Sequence, residues 1–478
     1  MMIRRKLPRF DFWLFFCDGF LLFYPYFMYK TFGKVSFEQL VFHLAHPLRQ
    51  GDVALMWRFF ACLIVLPLVF AALVTYPHAL LSKIKSVAFL EKWQNAVKWK
   101  TVVGIMAFIA SFAINAAVFD VAKWYDDIRH PTALYAENYV LPEKVDFREK
   151  KNLILIYLES IENTYQNTDI FPQNALPNLT RLQNENVSFS GQKQLPGTGW
   201  TIAGMVGSLC GVPLRIPIRD NKMNYFDRFM PNLTCVSDVM RQNGWDLYYL
   251  LGSDAYFSGL DNFAKDHGFD TVWDLKTLKK TGEFSSADKG NRWGASDKRL
   301  LEIARDRLGK ISAKRPFFFM MSLIDTHFPK YYVDKACPVR FNNALDSVYC
   351  TDLLLADFLK WVEKQDFYDD TVIVLLGDHL TMSNNVNEQL NQNKNRSVYN
   401  VFINAAANPS EKAKVFSTFD MAPSLLSAVG GVFAGRFGLG VDLFSNEKTL
   451  TETLGEEGFS KQLLLFSPEY QRFFDVKD

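Results

Sequence analysis

The side chains best suited to chemistry in this chain sit at the ends of apolar runs. "NLILIYLES" closes on Glu159, "PFFFMMSLIDTHF" carries Asp325 and His327 near its end, and "TVIVLLGDH" closes on Asp378 and His379. Carboxylates and imidazoles bind metals and move protons. An unpaired carboxylate is costly to bury, so Gly377-Asp378-His379 directly after a buried run asks for a function. Taken singly, Glu159 also reads as a capping or ion-paired acid, and His327 as a turn histidine with its hydrogen bonds satisfied. A fourth segment, "GTGWTIAGMVGSLCGVPL", sets Thr201 at the mouth of a helix within a loop of small residues. By itself Thr201 reads as an N-cap. Beside a divalent cation held by carboxylates and one imidazole, its hydroxyl becomes both a fourth ligand and a nucleophile. The N–H groups of the same helix terminus would then receive a phosphate.

These residues need a scaffold that gathers distant segments. The runs at 152–160, 246–254, 316–328 and 371–379 are near-continuously apolar, as expected of strands buried on both faces. Helical patterns separate them, at 175–186, 235–244, 296–310 and 349–365, with a late one at 419–430 closed by Gly430. The alternation predicts an α/β fold with a mainly parallel sheet and helices on both faces. Ligands bind such sheets at the carboxyl ends of the strands, which would collect Glu159, His327, Asp378 and His379 on one edge.

The chain of 478 residues is 49% hydrophobic and 15% aromatic, and its formal net charge of +2 offers no electrostatic case for binding nucleic acid. Much of the apolar excess lies in stretches at 12–28, 53–74 and 102–119, each near the ~20 residues that cross a bilayer. Asp18 and Arg58 interrupt the first two; Asp18 is expected to pack between helices and Arg58 to reach the interface. Arg4, Arg5, Lys6 and Arg9, together with Lys83, Lys85, Lys92, Lys98 and Lys100, put the N-terminus and the second loop in the cytoplasm, so three crossings deliver the rest to the opposite side. The first stretch lacks a small-residue cleavage site and reads as an anchor. The expected division is a membrane anchor at 1–119, a connector at 120–151, a catalytic domain at 152–445 and a tail at 446–478 that packs on the domain or lies on a membrane. Cys17 and Cys62 fall within the spans. Cys210, Cys235, Cys337 and Cys350 fit two disulfides in an oxidising compartment, most simply in sequence-adjacent pairs, or else four buried thiols.

"LILIYLES", "PGTGWTIAGMVGS", "SDAYFSGLDNFAKDHGFD", "RWGASDK", "DTHFP" and "LLGDH" resemble, in order across about 152–444, the membrane-anchored phosphoglycerol transferases. That family includes glucan-modifying and lipoteichoic acid synthase branches and belongs to the alkaline phosphatase/sulfatase superfamily. The resemblance implies a metal site of Glu159, Thr201, Asp378 and His379, with Thr201 as nucleophile in preference to Thr198. It implies that His327 contacts the phosphate or the leaving group. It also implies Mn2+ or Mg2+ in preference to Zn2+, a phosphatidylglycerol donor in the membrane, and a periplasmic or cell-surface glycan acceptor. The expected location is the bacterial inner membrane with the catalytic domain on its extracytoplasmic side. One element departs: Ser258 and Leu260 stand where the synthases carry Trp-x-Arg, so the head-group site must use other residues, with Trp200, Asp261, Arg292 and Trp293 as candidates. A phosphoethanolamine transferase would share the metal logic. A sulfatase would need a Cys/Ser-x-Pro-x-Arg nucleophile segment, which the Thr201 position lacks. A non-catalytic binding module would have lost a ligand or the nucleophile, and here each is present.

Overall fold

The computed structural model describes residues 10–32, 37, 53–76, 97–215, 223–285, 290–311, 314–328, 331–382, 385–409 and 413–475. The chain divides into two compact units, one within Met1–His130 and one beginning at Pro131.

Among the described residues, three helices of the first unit are long and apolar enough to cross a membrane, judged by length and composition. They are α1 (Phe10–Phe32), a second formed by α2 (Val53–Phe60) running through a π-helical turn (Ala61–Val65) into α3 (Leu66–Thr75), and α4 (Val97–Val118). Asp18 is buried within this unit and Arg58 is exposed. Lys100 is no free loop charge. It is fully buried in the first turn of α4, 3.5 Å from the Asp11 carboxylate, and donates to the Thr75 carbonyl at 3.1 Å. The start of α1, the end of α3 and the start of α4 therefore meet at one end of the bundle, as alternating crossings require. The basic residues at 4–9 and at 83–92 that bear on orientation lie outside the described residues.

The second unit is built on a six-stranded sheet. The sheet strands and the main helices around them, in chain order, are β1 (Asn152–Leu158), α5 (Pro177–Glu185), α6 (Thr201–Cys210), α7 (Val236–Gln242), β2 (Asp246–Leu251), β3 (Thr271–Trp273), α8 (Asp297–Leu308), β4 (Phe317–Ser322), α9 (Leu345–Val362), β5 (Thr371–Gly377), β6 (Asn400–Ile403) and α10 (Met421–Ala428). The strand order is β3-β2-β4-β1-β5-β6, parallel throughout except for antiparallel β6 on one edge. Every β5 residue is buried, as is every β1 residue after Asn152, because helices cover both faces. Ile154, Ile156 and Leu158 pack in a core with Leu179 of α5, Leu300 of α8 and Phe358 of α9. Tyr157 points the other way, where its hydroxyl meets that of Ser208 on α6 at 2.6 Å.

Two disulfides join Cys210 to Cys235 and Cys337 to Cys350, the sequence-adjacent pairing. The first ties the end of α6 to the start of α7. Before the sheet, the chain forms short helices at Val121–Arg129 and Leu134–Asn138, then a two-residue strand at Asp146–Phe147 that pairs with Gly431–Val432. The tail folds onto its own unit: Phe459, Leu463, Tyr470 and Phe473 are buried, the Arg215 guanidinium donates to the carbonyls of Leu463 and Leu465, each at 2.7 Å, and the Tyr470 hydroxyl donates to that of Pro213 at 2.8 Å.

Candidate active site

The register of the sheet brings the acids together. Leu158 of β1 pairs with Gly377 of β5, so Glu159 and Asp378 emerge side by side from neighbouring strands at the carboxyl edge. Ser160 follows with φ 55°, in the left-handed region, and this sharp turn lets its N–H donate to Asp378 Oδ1 at 2.8 Å while its hydroxyl donates to Glu159 Oε1 at 2.6 Å. The His379 N–H also donates to Asp378 Oδ1, at 2.8 Å. His379 Nδ1 lies 2.9 Å from the Leu380 carbonyl. A carbonyl only accepts, so Nδ1 carries the proton, and Nε2 faces Glu159 Oε1 at 3.6 Å and Asp378 Oδ2 at 3.5 Å. One ligand atom from each of Glu159, Asp378 and His379 falls within 4.8 Å of the others, and all three residues are buried.

Helix α6 delivers the hydroxyl. Trp200 is its extended N-cap and Thr201 its first helical residue; Thr201 Oγ1 donates to Glu159 Oε2 at 3.2 Å. The helix reaches this place because Gly204 has no side chain: a Cβ there would lie 2.1 Å from the Asp378 carbonyl oxygen. Gly377 is constrained in the same manner, since its Cβ would lie 2.1 Å from the Ile161 oxygen.

Electrostatically the cluster is incomplete. Burial, then the neighbouring Glu159, pushes the Asp378 carboxyl up to about 7. Burial would lower the His379 imidazole, but Asp378 and Glu159 outweigh it and raise it. Asp378 Oδ2 and His379 Nε2 are buried without a hydrogen-bond partner. Such atoms are rare in folded proteins and call for a partner of another kind. Two carboxylates, an imidazole nitrogen with an open lone pair and a hydroxyl suit a divalent cation.

His327 stands beside this cluster. Burial holds its imidazole below the usual range, against the pull of Asp378, while His379 lowers it further. Its Nδ1 faces the Phe328 carbonyl at 2.5 Å, which leaves Nε2 outside that contact. The Trp293 ring lies 4.6 Å from its ring centre, with Phe257 5.6 Å beyond Trp293. The indole N–H of Trp200 is buried and unpartnered. Asp261 opens the short helix Leu260–Asp266, where its carboxylate accepts from the Asn262 N–H at 2.9 Å; Arg292 is exposed. Among the described residues, no hydrogen bond or ion pair links Asp261 or Arg292 to the Glu159 cluster. Asp325 is committed elsewhere: it accepts from Asn291 Nδ2 at 2.6 Å and from the Asp297 N–H at 2.9 Å.

Sequence reasoning missed the residues that hold the site in place. Gln194 Oε1 accepts from the Leu380 N–H at 2.6 Å. The Thr326 hydroxyl donates to the Glu159 carbonyl at 2.5 Å. Glu162, fully buried, accepts from the Thr381 N–H at 3.2 Å. The one available signal was Glu162 itself, a second acid three residues after Glu159.

Residues 151–432 match the sulfatase family model. Over 307 residues the chain is 33% identical to proteins called phosphoglycerol transferase I from Salmonella choleraesuis (strain SC-B67) and Salmonella typhi; the match covers 62% of this chain and 40% of each relative, so this chain spans less than half of their length. A crystal structure of an alkaline phosphatase superfamily protein from Vibrio parahaemolyticus superposes with a TM-score of 0.51 at 20% identity, covering 68% of this chain and 79% of that one; at that identity the likeness concerns the fold. With more than half of its residues inside the family model, and with a site built at the carboxyl edge of its sheet, this chain belongs to the sulfatase family.

Proposed function

We propose that this protein is a metal-dependent transferase that moves a phosphoglycerol group from phosphatidylglycerol to an extracytoplasmic glycan through a phospho-threonine intermediate. The observation that carries the reading is the open donor set: Asp378 Oδ2 and His379 Nε2 unpartnered, with Thr201 Oγ1 3.2 Å from Glu159 Oε2. The name of the curated relatives supports the transferred group. Glu159, Asp378, His379 and Thr201 would hold the cation, which when bound supplies a Lewis acid that lowers the hydroxyl pKa and offsets phosphate charge.

The chain's own groups do the rest. Thr201 Oγ1 forms a bond to phosphorus as the bond from phosphorus to the diacylglycerol oxygen breaks. The N–H groups opening α6 receive the phosphoryl oxygens. His327, held neutral by burial with Nδ1 occupied, takes the Thr201 proton on Nε2 and passes it to the departing oxygen. In the second half a glycan hydroxyl attacks phosphorus, His327 takes its proton, and the Oγ1–phosphorus bond breaks. The proton then returns to Thr201. Trp200, which precedes Thr201, and Trp293, whose ring lies 4.6 Å from that of His327, are assigned to the head group. The two disulfides and the apolar helices support a catalytic unit anchored in the bacterial inner membrane and facing the oxidising side.

The test is to incubate the protein with phosphatidylglycerol labelled in its head group, with and without candidate glycans, and to weigh the Thr201 peptide. A glycerol phosphate adduct that disappears on adding the glycan is expected. A phosphoethanolamine adduct from mixed lipids, or turnover by Thr201→Ala, overturns the reading.

A further inference from the structure

The loop that carries Asp378 and His379 has its backbone polar groups tied down one by one. The His379 N–H goes to Asp378 Oδ1 at 2.8 Å, the Leu380 N–H to Gln194 Oε1 at 2.6 Å and the Thr381 N–H to Glu162 Oε2 at 3.2 Å. The Thr381 carbonyl accepts from Arg396 Nη2 at 3.0 Å, and the Thr381 hydroxyl donates to the Ser160 carbonyl at 3.0 Å. Glu162 and Arg396 also pair with each other: Nε lies 3.0 Å from Oε1 and 3.2 Å from Oε2, and Nη2 meets Oε2 as well. Glu162 is fully buried and the Arg396 side chain is 18% exposed. The pair sits where the chain segments touch, since Glu162 bridges to Val398 and the Asn163 N–H donates to the Ser397 carbonyl at 2.9 Å.

We propose that Glu162 and Arg396 form a positioning clamp for the cation site, gripping both backbone polar groups of Thr381 so that Asp378 and His379 hold their open atoms toward one point. The inference rests on the cation reading above. A buried ion pair is weak evidence for stability, because well-packed apolar residues often replace it at no cost. A pair that also grips the N–H and carbonyl of one residue in a ligand-bearing loop, while Arg396 Nη1 donates to Asn391 Oδ1 at 3.2 Å, has a different use. Only a planar guanidinium fork can hold a carboxylate with two nitrogens while one of them reaches a carbonyl; a lysine ammonium cannot.

The experiment uses the full-length protein in detergent and reads Mn2+ uptake by electron paramagnetic resonance of the free ion, alongside thermal melting and the far-UV spectrum. Glu162→Met combined with Arg396→Met removes the clamp while keeping apolar volume, and Arg396→Lys keeps the charge while losing the fork. Both variants are expected to melt cooperatively with a native spectrum. The double variant should bind Mn2+ about 10–100-fold more weakly, the range for losing groups that orient metal ligands, and Arg396→Lys should fall between it and the wild type. Affinity within about twofold of the wild type in the double variant, or in Arg396→Lys should the double variant not fold, overturns the clamp. A wild-type protein that takes up no Mn2+ or Mg2+ overturns the cation reading itself, a distinct failure.

Discussion

Among the described residues, two clusters in the second unit offer metal-ligand chemistry, and they differ in how they are finished. Cys235, Asp238 and His267 lie as close together as Glu159, Asp378 and His379. In the first cluster every group is spoken for. The Cys235 sulfur is in a disulfide, Asp238 Oδ2 accepts from the Cys235 N–H at 2.8 Å and lies 3.1 Å from His267 Nδ1, and His267 Nε2 lies 2.9 Å from the Phe229 carbonyl. In the second, Asp378 Oδ2 and His379 Nε2 are buried without a hydrogen-bond partner and face each other at 3.5 Å, with Glu159 Oε1 3.6 Å from Nε2. Residue types and distances alone would nominate both. Closure by the protein's own bonds separates a structural knot from a site that expects a ligand.

The sharpest way to break this contrast is at the nucleophile. Thr201→Ala should lower transfer by about 10⁴-fold or more, give no phospho-peptide by mass spectrometry, and leave the fold intact, because among the described residues the Thr201 hydroxyl bonds to Glu159 and to nothing in the core. Turnover near the wild-type rate would move the chemistry elsewhere. Next in size is a paired comparison of cation binding. Excess Mn2+, at ~100 times its dissociation constant, should stabilise the wild type by about 2.7 kcal/mol, read as a rise in melting temperature. Asp378→Asn should abolish that rise. His267→Ala should instead lower stability by about 1–3 kcal/mol through orphaned partners while keeping the Mn2+ response. A protein in which both variants lose the response would erase the distinction.

A smaller effect tests the close approach that makes the open cluster possible. Gly204→Ala puts a methyl group against the Asp378 backbone, which cannot swing away as a flexible side chain would. It should cost about 1–3 kcal/mol by overpacking and weaken Mn2+ binding with it. The same change at Gly244, where a Cβ would meet nothing within 4 Å, still strains a left-handed backbone (φ 94°) but should leave cation binding unchanged. Melting curves with and without Mn2+ check both.

The sequence carried the fold wherever both faces of a strand are buried, because burial writes a continuous apolar run. β1, β4 and β5 were legible for that reason, as were α5, α7 and α8 from their apolar spacing. The strand β3 and the antiparallel edge strand β6 were not: three and four residues long, they leave no run to recognise, and β6 is placed by its pairing with β5. Helix α9 starts at Leu345, four residues before the expected 349, since Asp346 in its first turn caps the loop N–H groups of Arg340 and Phe341. At the site, Glu159, Asp378 and His379 could be picked out because strand ends announce them. Glu162, Gln194 and Arg396 could not, since their roles come from backbone groups they reach across 15 to more than 200 positions. Asp325 shows the opposite error of legibility. It looks like a site residue because it ends a buried strand, yet the fold spends it on the start of α8.

That spent acid yields the last and smallest test. Asp297 and Asp325 form a buried acid pair: Asp297 Oδ1 accepts from the N–H groups of Ile324 at 2.7 Å and Asp325 at 3.1 Å, and Oδ2 accepts from the Thr351 hydroxyl at 3.1 Å. Burial, then the Asp297 charge, pushes Asp325 up to about 9, and burial pushes Asp297 up to about 6. Both folded-state values lie above the ~3.9 of an unfolded aspartate. The folded protein therefore keeps a proton that the unfolded chain has released, so stability falls as pH rises from about 4 toward 9 and levels off above that, by at most about 1.4 kcal/mol per pH unit for each proton held. Asp325→Asn removes the main titrating group, so the drop in melting temperature between pH 6 and pH 9 should flatten, with Mn2+ uptake unchanged because Asp325 is not a ligand. A slope that survives the substitution would assign the proton to another group; a lost Mn2+ response would bring Asp325 back into the open cluster and blur the line between closed and unfinished sites.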